Sequence, residues 1–107
     1  MEKQDFIKVI TKEDFLKVQE NQIFNWIDKS LEKEFQKELE KFKNGTNDYE
    51  NRIRLFLHDV KIDVITDRIE NYIHNTLVMD YKFAEEDITK ISLSNDNYPC
   101  ILIDLNF

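Results

Sequence analysis

Glycine and proline each occur only once in this chain of 107 residues, as Gly45 and Pro99. Because these two residue types interrupt helices and strands more strongly than any others, the stretches without them can form long elements. The sequence therefore predicts two long blocks, residues 1–43 and 46–97, followed by a short apolar tail. A single glycine also excludes a glycine-rich phosphate-binding loop, and with it nucleotide binding through a Walker or dinucleotide motif.

Cysteine is as rare, because Cys100 stands alone and leaves no partner for an intramolecular disulfide. One cysteine and two histidines also exclude zinc sites of the usual Cys/His spacing. Since Cys100 lies in an apolar stretch, we expect a buried, inert thiol; the alternative is a nucleophilic pair with His58 or His74. We expect no bound cofactor.

Long apolar runs are missing as well. The amino-terminal segment is charged and has no apolar core of signal-peptide length, and no run reaches the length of a membrane span. We therefore expect an intracellular, cytoplasmic protein. The abundance of Ile, Asn and Lys indicates AT-rich codons, as in a low-GC bacterium or its phage.

Basic residues are outnumbered, since 22 Asp and Glu against 15 Lys and Arg give a net charge of −7. Binding to nucleic acid or to anionic lipid depends on an excess of Lys and Arg, so direct contact with either is disfavoured. The charge favours a partner that is a basic protein or a nucleic-acid-binding protein. The alternative is that the charge only keeps a small domain in solution.

Hydrophobic residues make up 41% of the chain and include eight phenylalanines, enough for a core. A long helix is predicted first. Thr11 with Asp14 three positions later is typical of a helix start, and Gly45 marks a helix end. Over residues 24–42, apolar side chains recur at steps of three and four along one face. The polar stretch 19–22 leaves open a break or bend before that face begins.

A second helix is predicted after the glycine. Residues 47–50 have the pattern of a helix start, and apolar residues at helical spacing then run from Ile53 to Leu77. Over residues 52–60 the apolar residues also alternate, so a strand is the main competing interpretation there; we favour helix. Such a helix has two apolar faces, which predicts a central position in a bundle, a break near His58, or burial between the subunits of a homo-oligomer.

After Leu77 the hydrophobic period changes to two. Alternating segments at 79–83, 89–93 and 101–107, separated by polar residues, predict an antiparallel meander of about three strands. We therefore expect an α+β fold, with two or three helices packed on a small carboxyl-terminal antiparallel sheet. The size of the chain predicts a single domain over residues 1–107.

Acidic residues and a histidine recur at about one-turn spacing in the second predicted helix. On one helical face they suit a divalent cation such as Mg²⁺, which could activate water for hydrolysis. The simpler interpretation, which we adopt, is a solvated helix face without metal. The residues concerned are Asp59, Asp63, Asp67, Glu70 and His74, of which the last four form the alternative site of a metal-dependent hydrolase.

Negative charge is concentrated near the carboxyl terminus, where residues 80–107 carry six acids and two bases, a net charge of −4. Acidic turns in this region could steer a basic partner, and tyrosines beside them could supply desolvated contacts. The alternative is that charged turns protect the sheet edges from aggregation. The candidate partner-binding residues are Asp80, Tyr81, Glu85, Glu86, Asp87, Asp96 and Tyr98.

The catalytic residues of known motifs are missing, so we expect a binding protein and not an enzyme. A small acidic domain can act by occupying a basic surface of another protein. Toxin-immunity proteins and phage-encoded blockers of host enzymes work through this kind of charge complementarity. The sequence therefore favours an inhibitor or immunity-type function.

Overall fold

The computed structural model describes residues 9–60, 62–94 and 99–107. Within these residues, two helices and a three-stranded antiparallel sheet give an α+β fold, which confirms the fold class that the sequence predicts. Neither described helix has both the length and the apolar character that a membrane crossing requires. In chain order the elements are α1 (Lys12–Asn44), β1 (Arg52–His58), α2 (Asp67–Met79), a short 3₁₀ turn (Glu85–Asp87), β2 (Ile88–Ser94) and β3 (Cys100–Asn106).

Local signals define both ends of α1. The Thr11 backbone N–H donates to the Asp14 carboxylate at 2.8 Å, and the Asp14 N–H donates back to the Thr11 hydroxyl at 3.4 Å. Gly45 ends the helix in the left-handed conformation with φ 71°, which glycine adopts without steric cost. The helix runs without interruption through residues 19–22, so the break considered there does not form.

The sheet has the order β1-β3-β2, with β3 in the centre and antiparallel to both neighbours. Ile103 of β3 lies opposite Leu55 on one side and Ile91 on the other. The inward side chains of the sheet and one face of each helix form a single core. Its buried residues are Ile27, Leu31, Ile53, Leu55, Leu57, Ile69, Ile73, Leu77, Ile101, Ile103 and Leu105.

The helical interpretation of residues 52–60 is wrong, because β1 occupies most of that stretch. Its inward residues Ile53, Leu55 and Leu57 are all buried, while the residues between them are wholly or partly exposed. The helix start predicted at residues 47–50 is wrong as well. There the Asn47 side chain donates to the Tyr49 backbone carbonyl at 2.9 Å, in the turn that leads into β1.

Residues 79–83 do not form the first strand of the predicted meander. They end α2 and then cross α1, where Tyr81 and Phe83 both stack on Phe35, with ring centroids 4.3 and 5.7 Å apart. An alternating pattern of aromatic residues, which predicts a strand, can therefore also arise where the aromatic side chains pack on one helix. The third strand of the sheet is β1 instead, which lies far earlier in the sequence.

Candidate protein-interaction surface

The predicted partner-binding residues fall mainly in the connection between α2 and β2. Asp80 is the carboxyl-terminal cap of α2, and Tyr81 follows it directly. The acids at 85–87 form the 3₁₀ turn, where the Asp87 carboxylate accepts the Ala84 N–H at 2.9 Å. Two further predicted residues, Asp96 and Tyr98, lie outside the described residues.

Tyr81 lies at the point where this connection meets α1. Its ring is partly buried against Phe35. Burial raises the pKa of the Tyr81 phenol, and the nearby negative charges of Glu32, Asp28 and Asp80 raise it further. Carboxylates from α1 and from the end of α2 are therefore close enough to Tyr81 to act on the pKa of its phenol.

Tyr72 fixes one of these carboxylates in place. Its hydroxyl donates to both oxygens of Asp28, at 2.8 and 2.9 Å, and its ring stacks parallel on Phe24 with the centroids 4.0 Å apart. Burial, followed by the bond to Asp28, raises the pKa of the Tyr72 phenol. The phenol thus remains a hydrogen-bond donor at neutral pH and holds Asp28 at the rim of the helix pair.

Within the described residues, no Lys, Arg or His lies within 4.0 Å of the carboxylates of Asp28, Glu32 or Asp80. By contrast, the acids on the other side of α1 pair with lysines three positions later, Glu34 with Lys37 at 3.1 Å being one example. We refer to Asp28, Glu32, Asp80 and Tyr81 as the acidic surface.

Sequence reasoning missed Asp28 and Glu32, because they precede Asp80 by about fifty positions. The only signal in the sequence is their position beside the apolar stripe of α1. Asp28 lies about one turn after Phe24, and Glu32 lies about one turn before Phe35. That signal shows that they flank a packing face. It does not show that Tyr81 packs there, which depends on the path of the chain after α2.

Asp104 corrects the sequence-based view of the carboxyl-terminal charge. It is 6% exposed and accepts a hydrogen bond from Arg54 Nε at 2.8 Å, with Arg52 Nη2 at 3.5 Å from its other oxygen. Arg52 in turn lies over the Tyr49 ring, 5.1 Å from its centroid. Asp104 is therefore neutralised within the molecule and does not contribute to an acidic exterior.

The proposed carboxylate and histidine face does not form as one helical surface. The helix α2 begins only at Asp67. Asp59 and Asp63 therefore lie in the connection that precedes it, whereas Glu70 and His74 lie on the helix. Among residues 9–60, 62–94 and 99–107, no group of three or more His, Cys, Asp and Glu side chains is placed to hold a metal ion.

Cys100 is buried, 7% exposed, as the sequence predicts. The sheet register places it between His58 of β1 and Ser94 of β2. His58 is thus the histidine of the two that lies directly across from the thiol. The low exposure of Cys100 restricts access of a substrate to the sulfur. The arrangement of His58, Cys100 and Ser94 is therefore better explained by packing within the sheet than by a nucleophilic pair.

Comparisons with protein-family models, with curated proteins and with solved structures found no match to this chain.

Proposed function

We propose that this protein is a cytoplasmic protein-binding domain of the inhibitor or immunity type, which docks on a basic surface of a partner protein. The observation that supports the proposal is that Asp28, Glu32 and Asp80 act together on Tyr81, while no Lys, Arg or His of the described residues lies within 4.0 Å of their carboxylates. Because no ion pair among the described residues offsets these carboxylates, they remain available to external cations. Asp28 accepts a hydrogen bond from Tyr72, which is a neutral donor.

The acidic surface combines the two ingredients that binding by charge requires. Carboxylates steer a basic partner and raise the association rate, but contribute less to the lifetime of the complex. An aromatic ring held by packing adds contact area at low entropic cost. Tyr81 supplies such a ring, since Phe35 already fixes its plane. The exposed acids Glu85 and Glu86 continue the negative charge along the connection.

A display selection tests the proposal and does not require an identified partner. The immobilised protein is used to select binders from an mRNA-displayed library of random peptides. Wild type is expected to enrich peptides that combine Lys or Arg with apolar residues. The variant with Asp28→Lys, Glu32→Lys and Asp80→Lys is expected to lose affinity for those peptides at least tenfold.

A second triple variant controls for net charge. Glu40, Asp48 and Glu50 are exposed acids at the other end of α1 and in the turn before β1. Their replacement by Lys changes the net charge by the same amount and is expected to preserve binding. Enrichment without cationic residues, or equal losses in the two triple variants, contradicts the proposal.

A further inference from the structure

The first turns of α1 extend beyond the core and expose apolar side chains. The first residue of α1 that packs against the core is Ile23. The preceding stretch, residues 9–22, is called here the arm. Five of its large apolar side chains are between 50% and 74% exposed: Val9, Ile10, Phe15, Leu16 and Val18. Exposure of this many large apolar side chains on one short segment is typical of an interaction surface.

A groove of about 430 Å³ runs between the arm and the start of α2. Its apolar wall consists of Leu16, Ile23 and Ile69. Leu16 precedes Ile23 by seven positions and therefore continues the same helical face that enters the core. Within the part of the chain that the structure describes, no apolar side chain of the arm packs on the core along this face.

The charges around this groove indicate what covers it. Its described lining contains two carboxylates and two cations, Glu13, Glu20, Lys17 and Arg68. Two copies that each carry −7 repel one another over most of their surfaces. They approach most easily where the local charge cancels, and a basic partner gains nothing electrostatically at such a place.

We infer that the arm mediates homodimerisation, with the occupant of each groove being the arm of a second copy. Arg68 already pairs with Glu20 of its own chain at 2.7 Å. Glu13 and Lys17 form no ion pair among the described residues. Across a two-fold axis, Glu13 of one copy faces Lys17 of the other, and the reciprocal pair forms by symmetry. Leu16, which lies on the same helical face as Glu13 and Lys17, supplies an apolar contact beside these pairs.

This surface is separate from the acidic surface of the proposed function, so the two ideas can fail independently. The dimer is tested by sedimentation equilibrium of the full chain from low micromolar to near-millimolar concentration. Wild type is expected to rise from 13.0 kDa toward twice that mass. Leu16→Glu is expected to stay monomeric, because it places a charge in the apolar wall of the groove that the arm of the second copy occupies.

Leu39→Glu is the matched control, because Leu39 is 54% exposed on the same helix but outside the arm. It is expected to dimerise like wild type. Far-UV circular dichroism checks that both variants fold, which we expect since neither residue belongs to the core. A wild-type mass that stays at 13.0 kDa throughout, or equal dimerisation of both variants, overturns the inference.

Charge exchange tests the pairing itself. Glu13→Lys and Lys17→Glu are each expected to weaken self-association at least several-fold, because like charges then face each other across the axis. A mixture of the two variants restores both complementary pairs and is expected to form a heterodimer. Failure of the mixture to associate more strongly than either variant alone contradicts the two-fold arrangement.

Discussion

Asp104 shows how one side chain changes the meaning of a charge count. In the sequence it belongs to an acidic carboxyl-terminal stretch, but in the sheet it lies on β3 directly opposite Arg54 of β1 and is nearly inaccessible. Burial of an ionised carboxylate is tolerated only with charged or hydrogen-bonding partners. Arg52 and Arg54 supply them, and Asp104 thereby joins β3 to β1.

We predict that Asp104→Asn lowers the free energy of unfolding by about 1–3 kcal/mol, the usual cost of losing a hydrogen bond to a charged group. Urea denaturation at neutral pH measures the change. Asp48→Asn is the control, since Asp48 is exposed, and its expected effect is below about 0.5 kcal/mol. Equal effects of the two substitutions would show that Asp104 is not held as described.

Tyr72 gives a pH-dependent prediction. Because its pKa is raised in the folded state, the stabilisation that it contributes is complete below the unfolded pKa, near 10. That stabilisation is lost as the pH rises through the folded pKa. We predict that Tyr72→Phe lowers the free energy of unfolding by about 1 kcal/mol at pH 7 through loss of the bond to Asp28.

The difference between wild type and Tyr72→Phe should then shrink as the pH rises above 10. Tyr81 also titrates there, but it is present in both proteins and cancels in the difference. Urea unfolding curves of the pair at neutral and alkaline pH provide the measurement. A difference that is constant across this range would contradict the assignment.

The elements differ in how well local sequence determines them. The ends of α1 follow from Thr11, Asp14 and Gly45, whose hydrogen bonds and backbone angles depend on near neighbours only. The alternation at β2 and at β3 likewise identifies both strands. For these elements, the forces that decide the structure act within a few positions of the residues concerned.

β1 could not be determined in this way, because its apolar residues satisfy both periods. Ile53 and Leu57 are four positions apart, as in a helix, while Leu55 between them completes an alternating strand pattern. Pairing with β3 decides between helix and strand for these residues, because β3 lies in the centre of the sheet and pairs with a strand on each side. That requirement acts across about fifty positions and leaves no local trace.

The candidate site, like the fold, could be predicted from the sequence only where its residues lie in one segment. Asp80, Tyr81 and the acids at 85–87 could be named from the charge of their segment. Asp28 and Glu32 could not, because only the packing of Tyr81 on Phe35 brings them into the same surface.

The two parts of α1 should respond differently to the same substitution. Leu31 is fully buried and Leu39 is 54% exposed. We predict that Leu31→Ala lowers the free energy of unfolding by about 2–5 kcal/mol, since it removes core contacts and leaves a cavity. Leu39→Ala should change it by less than about 0.5 kcal/mol. Urea denaturation of both variants measures the two changes. Similar losses in the free energy of unfolding would contradict the described position of α1.

At the scale of the described molecule, the acids that pair with a cation lie apart from the acidic surface. Glu34 and Glu38 pair with lysines of the same helix, and Asp104 is neutralised within the sheet. The acidic surface keeps its charge. The net charge of −7 is therefore distributed unevenly over the surface. The side of the helix pair with the acidic surface presents more negative charge to a partner than an even distribution would.

This distribution predicts a salt-dependent association. With a peptide obtained from the display selection, the association rate should fall about tenfold or more from low salt to several hundred millimolar NaCl, because screening removes electrostatic steering. Stopped-flow measurements that follow the single tryptophan, Trp26, or a label on the peptide can record the rate. A rate that does not change with salt would contradict steering by the acidic surface.

The most direct test of the binding proposal is to locate the contact. The ¹⁵N-labelled protein is titrated with the selected cationic peptide, and the amide shifts are followed by NMR. The account predicts that the largest changes fall in residues 28–32 and 80–87. Changes confined instead to the second half of α1 and to β1, with those two segments unaffected, would contradict it.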